Sequence, residues 1–335
     1  MKNQIKRLFL GSLKKTLLAT VLLLSVVIVI NIITPSWSPT QTRTVAMQPM
    51  DVPKELLWKS DNNLLCPEKR RRLGNLMFEY ASAYGIAREV DKTLVIPVDD
   101  TIRDVFKLTA HVIPERSNTC LTFEQRWPEF GAVYDNRIYD EVNDTKQNIV
   151  LISYFQSWKY FEKYKNYIKK EFTIKENIAA QAHAILQNIS RGLHNHLTFI
   201  GIHVRRGDLL FNEVGYNIVT GDYLRKAIGL FESKYRDTIY IVCSDGMTWA
   251  RVELSNVRNA KIEFVLTDKA EVDFAVLVAC NHTIMTVGTF GWWAGYLAGG
   301  DVIYYKYPVR NNSKLREQLD SSFSDYFPSH WIGMG

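Results

Sequence analysis

A chain of 335 residues accommodates one large or two medium domains. Its 47% hydrophobic and 23% charged content excludes a disordered chain, and four Cys are too few for a disulfide scaffold. The net charge of +6 is no argument for nucleic-acid binding: Lys2, Lys6, Arg7, Lys14 and Lys15 supply +5 of it within residues 1–34, and the remaining 301 residues carry 36 basic against 35 acidic side chains.

The basic tail, residues 1–15, leads into an apolar run from Thr16 to Ile33, in which Thr20, Ser25 and Asn31 are the only polar side chains after Thr16. Its length reaches the lower end of the about 17–25 residues that span a bilayer as a helix. Thr34-Pro35-Ser36-Trp37 follows, without a small-residue cleavage site, so residues 16–34 read as an uncleaved signal-anchor. All five cations precede the run, which puts the N-terminus in the cytosol and the rest in a lumen. Residues 35–62, with Pro35, Pro39, Pro49 and Pro53 among Ser, Thr and Gln, read as a stem.

A luminal chain offers Asn143, Asn188, Asn281 and Asn311 as glycosylation sites, since each begins an Asn-x-Ser/Thr triplet. Asn281 follows the apolar stretch Phe274–Cys280, so burial is the competing expectation there. Cys66, Cys120, Cys243 and Cys280 allow two disulfides in three pairings, with a buried free thiol as the alternative for Cys243. No His/Cys pair has zinc spacing, and His194 and His196 read as surface residues.

Apolar residues at helical spacing predict a helix over 76–90, followed by a strand over 93–98. Residues 101–150 read as irregular, and 161–190 as helical. Beyond that the pattern alternates: strands over 199–204, 238–243, 262–266, 283–287 and 302–305, with helices over 222–235, 247–255, 273–280 and 292–298. Strands separated by single helices imply parallel βαβ units, whose ligands lie at the carboxyl ends of the strands.

Three strand ends carry polar or glycine-rich sequence. His203-Val204-Arg205-Arg206-Gly207-Asp208 places two guanidinium groups where an anion would sit, or else an Arg–Asp pair that anchors a loop. At Ser244-Asp245-Gly246, a helix cap is the expected role. Gly288 and Gly291, within Thr286–Tyr296, allow backbone amides at a helix N-terminus to approach a negative ligand, or serve tight packing alone. Neither a Gly-x-Gly-x-x-Gly fingerprint nor a P-loop is present, which argues against hydride transfer and P-loop NTPase chemistry.

His203–Asp208 resembles the His-x-Arg-Arg-x-Asp motif of fucosyltransferases that use GDP-fucose. Asp273–Ala275, Cys280–Thr286 and Gly299–Asp301 resemble the galactoside α-1,2-fucosyltransferases, glycosyltransferase family 11, as do Ser244–Trp249 and Arg72-Leu73-Gly74-Asn75. These islands stand in family order over residues 72–301. Departures are Arg71 where the family usually has Gly, Leu76 where it often has Gln, and Ala250 where it often has Cys.

The resemblance implies a GT-B-like α/β fold: two facing Rossmann-like halves, here 63–190 on the acceptor side and 191–335 binding the donor, behind one N-terminal transmembrane helix. It implies a Golgi membrane enzyme, single-pass type II, that transfers L-fucose from GDP-β-L-fucose to the 2-hydroxyl of a galactose-terminated glycan, inverting, with no metal or other cofactor. Arg205 would meet the β-phosphate with Arg206 in support. His203 and Asp273 would bind the nucleoside, Thr289, Phe290 and Gly291 the phosphate and ribose edge, and Asn75 the sugar. Glu213, ten residues after His203, is the carboxylate proposed as base, with a solvated loop residue as the alternative; Asp208 is the other carboxylate nearby, with holding the geometry of Arg205 and Arg206 as its alternative role. The competing readings are a fucosyltransferase of another linkage or acceptor, such as a protein hydroxyl, and a non-catalytic luminal sugar- or nucleotide-binding module on the same fold.

Overall fold

The computed structural model of the chain describes residues 63–69, 72–113, 120–193, 196–211, 213–255, 257 and 260–335. The tail, signal-anchor and stem expected over 1–62, and His194, lie outside the described residues. Among the described residues no helix is long and apolar enough to cross a membrane.

Two parallel sheets form the scaffold. The first takes β1 (Leu64–Pro67), β2 (Thr93–Pro97), β3 (His111–Ile113), β4 (Glu124–Arg126) and β5 (Ile149–Leu151) in the order β3-β2-β1-β5-β4. Helix α1 (Leu73–Glu89) links β1 to β2, and α2 (Arg137–Asn143) lies between β4 and β5. Two more helices follow, α3 (Lys165–Glu171) and α4 (Glu176–Ser190).

The second sheet alternates strictly: β6 (Thr198–Val204), α5 (Gly221–Lys234), β7 (Thr238–Ser244), α6 (Met247–Leu254), β8 (Lys261–Phe264), α7 (Ala270–Val278), β9 (His282–Met285), α8 (Thr289–Ala298), β10 (Val302–Tyr305) and finally β11 (Ile332–Met334). The order β11-β10-β9-β6-β7-β8, counted from β6, is the 3-2-1-4-5-6 order of dinucleotide-binding sheets. β6 is the hinge of that order. It pairs along its whole length with β7, from Thr198↔Thr238 to Val204↔Ser244, and on its other side with β9. Its residues 200–204 are all buried, as a strand covered on both faces requires. The chain reverses direction between β6 and β9, so the crevice beyond their carboxyl ends is where a ligand is expected.

The halves share one core. Phe78 of α1 lies 4.5 Å from Trp292 and 5.0 Å from Trp293 of α8, ring centre to ring centre, and Phe161 stacks on Trp293 at 5.4 Å. The chain after β10 then returns to the first half. Trp292 Nε1 donates to the Tyr326 carbonyl (2.8 Å), the Tyr134 amide donates to the Asp325 carboxylate (2.9 Å), and Ser157 Oγ donates to the Asp325 carbonyl (2.7 Å). Helix α4, at the end of the stretch assigned to the first half, packs on α7 beside the second sheet, burying Ile178, Ala182 and Leu186. The 190/191 boundary therefore separates sequence more cleanly than it separates packing.

Two expectations change. The stretch read as irregular over 101–150 holds β3 and β4 and the start of β5, strands of three residues each, too short to display periodicity. The helix expected over 161–190 breaks after Glu171, because the Lys107 amide donates to the Thr173 carbonyl and the Lys175 amide to the Val105 carbonyl (both 2.9 Å). Those bonds hold 173–175 in an extended bridge that a continuous helix could not form.

Of the four Cys, Cys66 and Cys120 form a disulfide that ties β1 to the turn after β3, whereas Cys243 and Cys280 are buried thiols. One bridge thus replaces the two that four Cys allow. Asn143, Asn188, Asn281 and Asn311 are all exposed. The burial weighed for Asn281 does not occur. Its side-chain oxygen instead accepts from the Phe199 amide (2.9 Å).

Candidate active site

The chain leaves β6 at Val204 and turns across the crevice between β6 and β9. Thr286, just past β9, fixes the start of that turn by accepting the Arg205 amide on its hydroxyl (2.9 Å). The turn is held from the other side by Asp245, whose carboxylate accepts the amides of Arg206 (2.6 Å) and Gly207 (2.9 Å). Asp245 therefore secures the loop after β6 rather than capping α6, and Ser244 Oγ accepts the Gly246 amide (2.9 Å).

Arg205 is clamped. Its Nε and Nη2 donate to the two oxygens of Asp208 (3.0 and 2.8 Å), its guanidinium lies 5.0 Å from the Tyr216 ring centre, and Nη1 is turned to Gly288. Burial alone would weaken the charge on Arg205, but Asp208 and Tyr216 together outweigh it and the pKa rises. In return, the hydrogen bonds from Arg205 hold the Asp208 carboxyl well below the usual carboxylate range, with Arg72 adding to the effect. Arg72 belongs to the other half. It stands just before α1 and donates to Asp208 Oδ2 (2.7 Å), so cations from both halves converge on one carboxylate.

Arg206 takes a different course from its neighbour. Its guanidinium stacks 4.2 Å from the Trp249 ring centre and donates to the Val219 carbonyl (3.3 Å), on the α6 side of the sheet.

The N-terminus of α8 closes the crevice. Gly288 precedes it with φ +93°, a left-handed conformation suited to glycine, and a methyl group there would fall 2.7 Å from Arg205 Nη1. No side chain caps this helix, so its first amides are available beside Arg205. Thr289 Oγ1 donates to Asn75 Oδ1 (2.9 Å), which also accepts from Gln156 Nε2 (3.2 Å), leaving the Asn75 amide hydrogens for a ligand. A side chain on Gly74 would meet the backbone of Thr289 and Phe290 within 2.7 Å. The α1 and α8 N-termini thus touch, and Asn75, Thr289, Arg205 and Asp208 come together.

Behind them, His203 is buried and packs tilted against Phe290 at 5.3 Å between ring centres, and Phe290 meets Phe274 at 5.1 Å. A methyl group on Gly291 would fall 2.4 Å from His203 Nδ1. That nitrogen has no hydrogen-bond partner among the described residues. Asp273, on the first turn of α7, accepts the Thr267 amide (3.1 Å) and hydroxyl (2.8 Å) on one oxygen; burial raises its pKa despite those bonds. Glu213 is exposed on the loop after Phe211, where Arg310 donates to its carbonyl (3.2 Å). No cluster of three or more His, Cys, Asp or Glu side chains among the described residues is arranged to hold a metal ion.

Burial pushes the His203 imidazole down from 6.5 to about 4, with Arg205 adding to this effect and Asp245 opposing it. Between those values the unfolded chain holds the extra proton, so stability falls as the pH drops through that window and is unaffected above it. Thermal melts should show Tm declining from pH 6.5 to 4, and His203→Gln should flatten the decline. His282, also pushed down by burial, supplies a remainder. An undiminished decline in the variant would assign it to other groups.

Sequence reasoning missed Arg72 and Tyr216 as site residues. Arg72 lies within the quoted Arg72–Asn75 island, so its signal was present but carried no role. Tyr216 lies in a loop with no periodicity or motif.

The glycosyl transferase family 11 model matches residues 31–335. Galactoside alpha-(1,2)-fucosyltransferase 2 of Rattus norvegicus is 32% identical over 302 residues, covering 79% of this chain and 81% of that protein. Galactoside 2-alpha-L-fucosyltransferase Sec1 of Mus musculus is 30% identical over 272 residues, covering 78% and 72%. A mutant of Arabidopsis thaliana FUT1, solved in complex with GDP, superposes with a TM-score of 0.52 at 13% identity, covering 79% of this chain and 75% of that one.

Proposed function

The chain belongs to glycosyl transferase family 11, and from that premise we propose that it transfers L-fucose from GDP-β-L-fucose to the 2-hydroxyl of a terminal galactoside, with inversion. The observation that carries this reading is the clamped Arg205 at the β6/β9 crevice, beside the uncapped N-terminus of α8. As the bond from the fucose C1 to the β-phosphate breaks, negative charge builds on GDP. Positive groups already in place stabilise that charge without reorganising. Arg205 and the first amides of α8 are such groups.

The remaining parts follow from position. Asn75 offers its amide hydrogens to the sugar or phosphate across the crevice. His203, Phe290 and Asp273 line the nucleoside side, where Asp273 has an oxygen left to accept from guanine. Arg206, stacked on Trp249, steadies the loop that presents Arg205. Asp208 is a weak base because two guanidinium groups hold it ionised. Glu213 is therefore the carboxylate that takes the proton from the acceptor hydroxyl. The basic tail and apolar run suit a Golgi membrane anchor with this domain in the lumen, where Asn143, Asn188, Asn281 and Asn311 would be open to glycosylation.

GDP release from GDP-fucose, measured with and without a galactoside, tests the reading, and linkage analysis of the product tests the 2-position. Release should require the galactoside and should largely survive EDTA, because Arg205 rather than a cation is proposed to meet the diphosphate. Activity lost in EDTA and restored by Mn²⁺ would sink the metal-free mechanism. A product of another linkage would sink the assignment to the 2-hydroxyl.

A further inference from the structure

We propose that Phe211 is the platform on which the acceptor sugar stacks. The proposal rests on the reading of this chain as a galactoside fucosyltransferase.

Asp208–Phe211 forms a single turn of 3₁₀ helix. At three residues per turn, side chains at i and i+3 lie on the same face, about 6 Å apart along the axis. Asp208 faces the crevice, where it joins Arg205 of one half to Arg72 of the other. Phe211 accordingly stands on that same face, one turn beyond the junction. Leu209, between them, is buried and roots the turn in the protein.

Phe211 is 90% exposed, the most exposed large hydrophobic side chain among the described residues, and Leu210 beside it is 50% exposed. The fold thus leaves an aromatic ring in water one 3₁₀ turn beyond the Arg72–Asp208–Arg205 junction. A single exposed apolar side chain is ordinary; what singles out Leu210 and Phe211 is that they stand exposed together one turn from that junction.

The chemistry selects the ligand. The nucleotide sugar is anionic and is met by Arg205 and the α8 amides. The acceptor is neutral, so those groups do not distinguish it. A galactopyranose carries its 4-hydroxyl axially, which leaves the opposite face of the ring as a patch of C–H groups. The negative face of an aromatic ring attracts such hydrogens.

Steady-state kinetics of the full-length protein with lactose as acceptor test this. Phe211→Ala should raise KM for lactose about three- to tenfold, the size of an aromatic stacking contact. The Kd for GDP, measured by calorimetry, should stay put, and Phe211→Trp should restore the lactose KM. An unchanged lactose KM in the alanine variant overturns the proposal, as does an equal loss of GDP affinity. If the wild-type protein makes no fucosylated lactose at all, the functional reading falls, and this proposal with it.

Discussion

Arg205→Lys is expected to lower kcat by about a hundred- to thousandfold, although the charge is kept, because one preorganised contact to the developing anion is lost. Arg205 uses its planar shape in three directions at once. Nε and Nη2 are committed to Asp208, the flat face lies on Tyr216, and Nη1 is left pointing to Gly288 and the start of α8. A lysine ammonium is a compact charge on a flexible stem and cannot hold the carboxylate and the phosphate simultaneously. Asp208 would pull it away from the leaving group. The fold should survive, because the residue sits at a strand end and Arg206 and Gly207 remain fixed through Asp245. Stopped assays of kcat, with thermal melts alongside, check both halves of the expectation. Near-wild-type turnover would remove Arg205 from the chemistry.

Glu213→Gln should lower kcat by about a hundred- to ten-thousandfold, the usual contribution of a positioned base. The loop that carries Glu213 leaves the crevice at Asp208 and returns to it at Tyr216, so both of its ends rest on Arg205. Gly215, with φ +123°, makes the return, and the Arg310 guanidinium holds the Glu213 carbonyl. The amide replacement keeps size and reach, so affinity for GDP-fucose should hardly change. Asp208→Asn separates the two carboxylates: it should weaken donor binding by loosening Arg205 and Arg72, whereas a base would lose kcat alone. Normal turnover in Glu213→Gln would send the proton elsewhere.

Most of the second sheet was legible because its central strands β6, β7 and β9 are buried on both faces. Such strands are continuous apolar runs, whereas β11, a three-residue edge strand with Ile332 and Gly333 exposed, offers no such run. The strand ends were legible for a related reason, since Arg, Gly and Asp directly after an apolar run have little to do in a core. Of the first sheet only β2 was legible, as the strand expected over 93–98. Glu124–Arg126 is polar and solvent-facing, and it is a strand only because its backbone pairs with β5. No local pattern announces that pairing. The site was half legible for the same reason. His203, Arg205, Asp208 and Gly291 stand in motifs, but that Arg206 turns to Trp249, or that Arg72 reaches across to Asp208, depends on side-chain directions set by residues far away in the chain. Asp245 shows the cost of local reasoning: beside a helix start it resembles a cap, yet its partners are the amides of a loop 37 to 39 residues earlier.

The aromatic contact between Phe78 and Trp292 limits how the enzyme can be dissected. A cut between Ser190 and Thr198 would leave each fragment with an uncovered aromatic face, and it would separate α4 from the helix it packs against or strand it on the wrong piece. Neither half is a portable module. A chimera that exchanges donor-binding halves between relatives would have to carry α1 and the returning segment around Tyr326 with it, so recombination boundaries belong in the loops around the crevice rather than at the midpoint of the chain.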